Sequence, residues 1–122
     1  MNTVGYFFVS KWAALAAKDR VSVTDTKNTE WFVASTLLDP PPFCALMKTG
    51  RGYRIKGVWV PEALRGQGIG ERMTLVLMDY AENTRMASRL EAFAYNPAFY
   101  EKHGFRRFGV LPNGAVKMEK IL

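Results

Sequence analysis

Residues 53–70 read YRIKGVWVPEALRGQGIG. The first eight have the composition of a strand, and Pro61 ends them. Taken with a period of two, Tyr53, Ile55, Gly57 and Trp59 share one face, and Arg54, Lys56, Val58 and Val60 the other. Glycines at 66, 68 and 70 then lead directly into a segment of helical period. A strand, a glycine-spaced turn and a helix start make an anion-binding device. The loop amides lack partners, the helix dipole favours negative charge there, and glycine lets the backbone approach a ligand closely. Arg65 adds a fixed positive charge with several donors. The spacing is neither the G-x-G-x-x-G of a dinucleotide fold nor the Gly-Lys-Ser/Thr of a P-loop. The glycines alone therefore leave a plain turn open beside a phosphate loop.

Working outward, Ile69, Met73, Val76, Leu77, Tyr80 and Ala81 fall at helical spacing, with Leu75 and Met78 widening the stripe, so a helix is expected to about Asn83. Upstream, EWFVASTLL (30–38) reads as a strand ended by Asp39 and prolines 40–42, and FCALMK (43–48) as another, joined to the stretch at 53–60 by a Thr-Gly-Arg-Gly turn. Three such strands make an antiparallel meander. Downstream come a strand at SRLEAFAY (88–95), a short helix at PAFYEKHG (97–104), and a hairpin around Asn113-Gly114. At the N-terminus, KWAALAAKDR predicts a helix over about 10–19; GYFFV before it reads equally as a strand or as the helix's first turns. The order predicts one domain over residues 1–122 with a mixed α/β layer fold.

The chain of 122 residues is 48% apolar and 23% charged, the balance of a soluble globular domain. No apolar run reaches the roughly 18 residues of a membrane span. GYFFV is cut off by Lys11 and has no basic residue before it, a poor secretory signal. The one cysteine, Cys44, permits no internal disulfide and suits a reducing, cytoplasmic setting. The formal charge of +6 is uneven: residues 51–122 carry twelve Lys/Arg against seven Asp/Glu. An anionic cofactor, an acidic substrate or nucleic acid each fits that excess, as does a plain basic surface. No cluster of His, Cys and carboxylates suggests a metal.

VWVPEALRGQGIG resembles the acetyl-CoA motif of the GNAT superfamily of N-acetyltransferases. Arg65, Gly68 and Gly70 match that family's Q/R-x-x-G-x-G/A, and FYEKHGF at 99–105 resembles its second signature, a helix ending in Y-E-x-x-G-F. The likeness covers about residues 30–122, with the two motifs in the family's order. It implies a mainly antiparallel α+β sheet, splayed at the cofactor cleft and flanked by helices, with a shortened N-terminal region of about 29 residues. It further implies that the backbone of Val58, Trp59 and Val60 aligns the pantetheine arm like an added strand. The amides of Arg65, Gly66, Gln67, Gly68, Ile69 and Gly70 would hold the pyrophosphate. Tyr100 would sit near the thioester sulfur as general acid, and a bulge near Gly57 or Trp59 would open the cleft. The family's cofactor-contacting asparagine lies seven residues before the helical tyrosine, where this chain has Phe93; Asn96, four before it, is the asparagine at hand.

Acetyl transfer needs a neutral amine, and a free lysine of pKa about 10.4 costs roughly 4–5 kcal/mol to deprotonate at pH 7. A water chain or a carboxylate can take that proton. Glu91, on the strand bordering the cleft, and Glu30 are the carboxylates in reach, each also readable as a paired surface group. His103 reads as a helix-end residue and Cys44 as core. The function expected is acetyl-CoA-dependent transfer to a primary amine. The alternative is a basic nucleic-acid-binding module on a degenerate fold of the same kind, although the basic residues form no dense run and no known binding motif is present. Sheet edges left by the short N-terminal region are open to pairing in a homodimer.

Overall fold

A computed structural model describes residues 1–122. The chain runs through β1 (Asn2–Val4), α1 (Tyr6–Ser10), α2 (Ala13–Lys18), β2 (Thr29–Val33), β3 (Phe43–Thr49), β4 (Gly52–Trp59), α3 (Ile69–Asn83), β5 (Arg89–Ala94), α4 (Pro97–Lys102), β6 (Arg106–Val110) and β7 (Val116–Ile121). One seven-stranded sheet has the order β1-β2-β3-β4-β5-β7-β6. Every neighbouring pair is antiparallel except β4 and β5. The mixed, mainly antiparallel sheet flanked by helices is the architecture the sequence predicts. No helix is long and apolar enough to cross a membrane.

The sheet separates two cores. On one face Phe32, Cys44, Leu46, Ile55, Leu90 and Met118 pack under Met73, Leu77 and Ala81 of α3. On the other, Trp31, Val33, Phe43, Ala45 and Trp59 pack under Val9, Trp12 and Ala16 of the N-terminal helices. Successive strand residues thus serve opposite cores, as the pleat requires. On α3 the buried stripe is narrower than the spacing suggests. Met73, Leu77 and Ala81 are buried, whereas Leu75 and Val76 are exposed, since a helix turns about 100° per residue and those two face outward.

Two N-terminal expectations change. The single helix over 10–19 is two short ones broken at Lys11–Trp12, and GYFFV supplies α1 rather than a strand. The break directs both Val9 and Trp12 into the core. The strand expected over 30–38 stops at Val33: Ala34 N–H donates to Pro42 O at 2.9 Å, closing the intervening loop, and Leu37 is left 93% exposed. β1, three residues on β2's outer edge, has no recognisable sequence pattern.

The decisive irregularity lies in β4. Phe43 pairs with Trp59 but Ala45 with Lys56, so three steps along β4 match two along β3. The extra residue is a bulge at Gly57, whose φ of 62° is left-handed. It reverses the alternation: Tyr53 and Ile55 before it, and Val58 and Val60 after it, all face α3, while Trp59 joins the opposite core. The uninterrupted period of two read from the sequence does not hold. Beyond the bulge β4 also leaves β5, pairing with it only through Tyr53, Arg54 and Ile55.

Glycine at 57 answers to a close contact as well as to its φ, since a Cβ there would lie 2.8 Å from the Trp31 ring. Gly57→Ala is expected to destabilise the fold by about 1–3 kcal/mol in urea denaturation. A wild-type midpoint would contradict the bulge.

Candidate active site

Where β4 and β5 diverge, a cleft of about 550 Å³ opens through the sheet. Ile55, Lys56, Gly57 and Val58 form one wall, and Phe93 to Asn96 at the end of β5 the other. Gly70, Glu71 and Thr74 of α3 with Phe99 and Tyr100 of α4 line one end, and Asp19 to Ser22 after α2 the opposite end. From Lys56 to Trp59 the edge of β4 has no strand partner on the cleft side. Backbone groups of alternate residues there point into the gap.

Continuing the chain, a 3₁₀ turn at Glu62–Leu64 delivers the glycine loop. The backbone N–H groups of Gly66, Gln67, Gly68, Ile69, Gly70 and Glu71 have no acceptor within the protein. Gly68 is the N-cap of α3, with φ 74° and no side-chain cap, so nothing substitutes for an anion at this helix start. A Cβ at Gly66 or Gly68 would meet no atom; both are needed for their left-handed φ rather than for space. A Cβ at Gly70 would lie 3.4 Å from a Val60 methyl, in ordinary contact. The Arg65 amide, by contrast, is bonded to Glu62 O at 3.2 Å.

Arg65 acts here through its side chain. Its Nη2 meets Asp19 Oδ2 at 2.6 Å, and its Nε donates to Val60 O at 2.9 Å. Asp19 also accepts from Trp59 Nε1 at 2.9 Å, and the hydrogen bond from Trp59 is the leading cause that lowers its pKa. One carboxylate thereby ties the end of α2 to β4 and to the glycine loop. Asp19 was not legible as a site residue, because it lies 46 positions before Arg65 with no motif between them.

Tyr100 faces the cleft, and no hydrogen bond holds its hydroxyl. Burial, helped by nearby Cys44, pushes its pKa up to about 12, so the hydroxyl keeps its proton at working pH. Cys44 is fully buried, and burial raises its thiol likewise to about 12; it is core. Asn96 is the N-cap of α4 and lines the cleft, its side chain making no cap bond. His103 is the C-cap of that helix.

Both candidate carboxylate bases lie outside the cleft. Glu91 accepts from Arg54 Nε at 2.6 Å and Arg89 Nη1 at 2.9 Å and does not line the cleft. Burial alone would raise its pKa, but the bonds from Arg54 and Arg89 outweigh burial and lower it. Glu30 accepts from Arg85 at 2.6 Å and Tyr80 at 2.7 Å, and the Arg85 bond leads in lowering its pKa. Each is fixed as a carboxylate with little appetite for a proton. Arg54, Arg85, Arg89, Arg106 and Arg107 each sit on a carboxylate, so these five do not form a free basic surface for nucleic acid.

The family model for the acetyltransferase (GNAT) domain matches residues 27–107, and the chain belongs to that family. A comparison with curated proteins found no match. Among solved structures, the chain is similar to an IAA acetyltransferase from Bacillus cereus, with a TM-score of 0.74 and 21% identity over 99% of this chain and 97% of that one. It is also similar to Rv2747 from Mycobacterium tuberculosis, solved in complex with CoA, with a TM-score of 0.72 and 15% identity over 99% and 98% of the two chains. The PaiA N-acetyltransferase from Thermoplasma acidophilum, solved in complex with coenzyme A, gives 0.63 and 12% over 98% and 80%. At these identities the likeness shows the fold.

Acetyl-CoA is the cofactor of such a domain, and the residues present fit it. Unpartnered amides at 66–71 suit a pyrophosphate, and the unpaired edge of β4 suits an amide-bearing arm.

The Glu91 pair gives a pH prediction. A lowered folded-state pKa stabilises fully above the unfolded value near 4.5, and the gain is lost as pH falls through the folded value. Glu91→Gln is expected to cost on the order of 2 kcal/mol at pH 7, less than the roughly 3–5 of a fully buried pair because Arg54 is partly exposed. Urea unfolding from pH 7 to 3 should show the deficit shrinking below pH 4.5. A deficit independent of pH would contradict this account.

Proposed function

We propose that this protein transfers an acetyl group from acetyl-CoA directly to a primary amine. The observation that carries the reading is the release of β4 from β5 at Gly57, beside a loop of six unpartnered amides and a protonated Tyr100. When bound, the cofactor supplies an acetyl thioester: the amine nitrogen bonds the carbonyl carbon, the C–S bond breaks, and one proton leaves nitrogen as another reaches sulfur.

Gly66 to Glu71 bind phosphate through backbone N–H, and the start of α3 adds its dipole. The backbone of Val58 to Val60 orients the arm, and cleft-facing N–H groups near the bulge stabilise negative charge developing on the carbonyl oxygen. Tyr100 Oη donates the proton that sulfur needs. A thiol of pKa near 8.5 leaves readily, so that help is modest. With Glu91 and Glu30 bound to arginines, the amine's proton leaves through ordered water. Asn96, at the start of α4, contacts the cofactor from the β5 side of the cleft.

A thermal-shift titration tests this. CoA at 100 times its Kd should stabilise the fold by about 2.7 kcal/mol. Gly68→Val should abolish the shift, because a β-branched residue cannot hold φ 74°. Tyr100→Phe should lower kcat about tenfold with the KM for acetyl-CoA unchanged, below the 10²–10⁴ of an obligatory acid. No shift at millimolar CoA would overturn the reading.

A further inference from the structure

The cleft passes through the sheet, and its second mouth carries charges the transfer step leaves unused. Here, on the face opposite α3, lie Arg20, Ser22, Lys56, Phe93 and Tyr95. Arg20 follows α2 with a left-handed φ of 63°, and its guanidinium lies 5.0 Å from the centre of the Tyr95 ring, spanning the mouth. Lys56 Nζ donates to Thr24 Oγ1 at 3.2 Å.

Neither cation has a carboxylate within ion-pair distance, although most arginines of this chain do. The carboxylates on the cleft wall are engaged elsewhere: Asp19 by Arg65 and Trp59, Glu71 by Lys102 at 3.7 Å. A half-buried ammonium without a counter-ion is unfavourable. Burial, then the charge of Arg54, lowers the pKa of Lys56 accordingly. An anion delivered into the mouth would offset that cost.

We propose that the acceptor is an amino-acid-sized amine bearing a carboxylate, which Arg20 and Lys56 hold while the amine faces Tyr100; this rests on the transfer reading above. The charge arrangement suits the chemistry twice. Positive neighbours favour the neutral form of an amine, which compensates for the lack of an unengaged carboxylate base. The same neighbours repel an incoming ammonium, and a carboxylate on the same molecule cancels that repulsion. The cleft, about 550 Å³, is of small-ligand size.

The test assays the common L-amino acids as acetyl acceptors, each as free acid and as α-amide, on wild type, Lys56→Gln and Arg20→Gln. In the pairs that react, the acid is expected to exceed the amide at least tenfold in kcat/KM. Each variant should raise the KM for the acid about tenfold, bring the acid-to-amide ratio toward one, and keep the thermal shift with CoA. Amides used as well as acids, a ratio unchanged in both variants, or no amino acid reacting while the CoA shift is intact would each overturn the proposal. A wild-type protein without the CoA shift would overturn the transfer reading and this inference with it.

Discussion

A single additional residue in β4, accommodated at Gly57 against the Trp31 ring, governs both what the sheet packs and where it opens. Without it, Val58 and Val60 would face away from α3 and Trp59 would enter the wrong core, because one step along a strand exchanges its faces. With it, both cores are satisfied and β4 turns away from β5 after only three paired residues. Backbone groups that a regular sheet would pair are thereby left for a ligand. Bulges commonly end strand pairing near functional clefts, and here the bulge does so at a position only glycine fits.

The other half of the site depends on this geometry. Val60 ends the displaced segment, and its carbonyl accepts from Arg65 as the glycine loop begins. Asp19 then joins Arg65 to Trp59, so one carboxylate ties the end of α2 to β4 and the glycine loop. Arg65 shapes the loop through its bonds to Glu62, Val60 and Asp19, and the six amides after it are the ones left without an acceptor. The N-terminal helices contribute to the cleft, because the turn after α2 brings Asp19 to Ser22 to its second mouth.

Much of this was legible locally. The helix over 69–83 shows in its period, the hairpin in Asn113-Gly114, and the family in the glycine loop together with FYEKHGF. Features built by long-range contact were not. The family resemblance implies a bulge near Gly57 or Trp59, and one is there, but the residues alone do not place it: Gly57 fits an alternating strand equally well, and its need for glycine comes from Trp31, 26 residues earlier in β2. Glu91 reads as a cleft carboxylate only while its partners are unknown; register places Arg54 directly across from it. Asp19, Arg20 and Lys56 belong to no motif, so only the folded chain reveals their common cleft.

Backbone amide exchange of the free and CoA-bound protein reports on the same N–H groups that are proposed to hold the cofactor. Binding should slow exchange at Gly66 to Glu71 and at cleft-facing amides between Gly57 and Val60, while Arg65, already bonded to Glu62, changes little. Protection spread evenly over the sheet, or absent from residues 66–71, would contradict it.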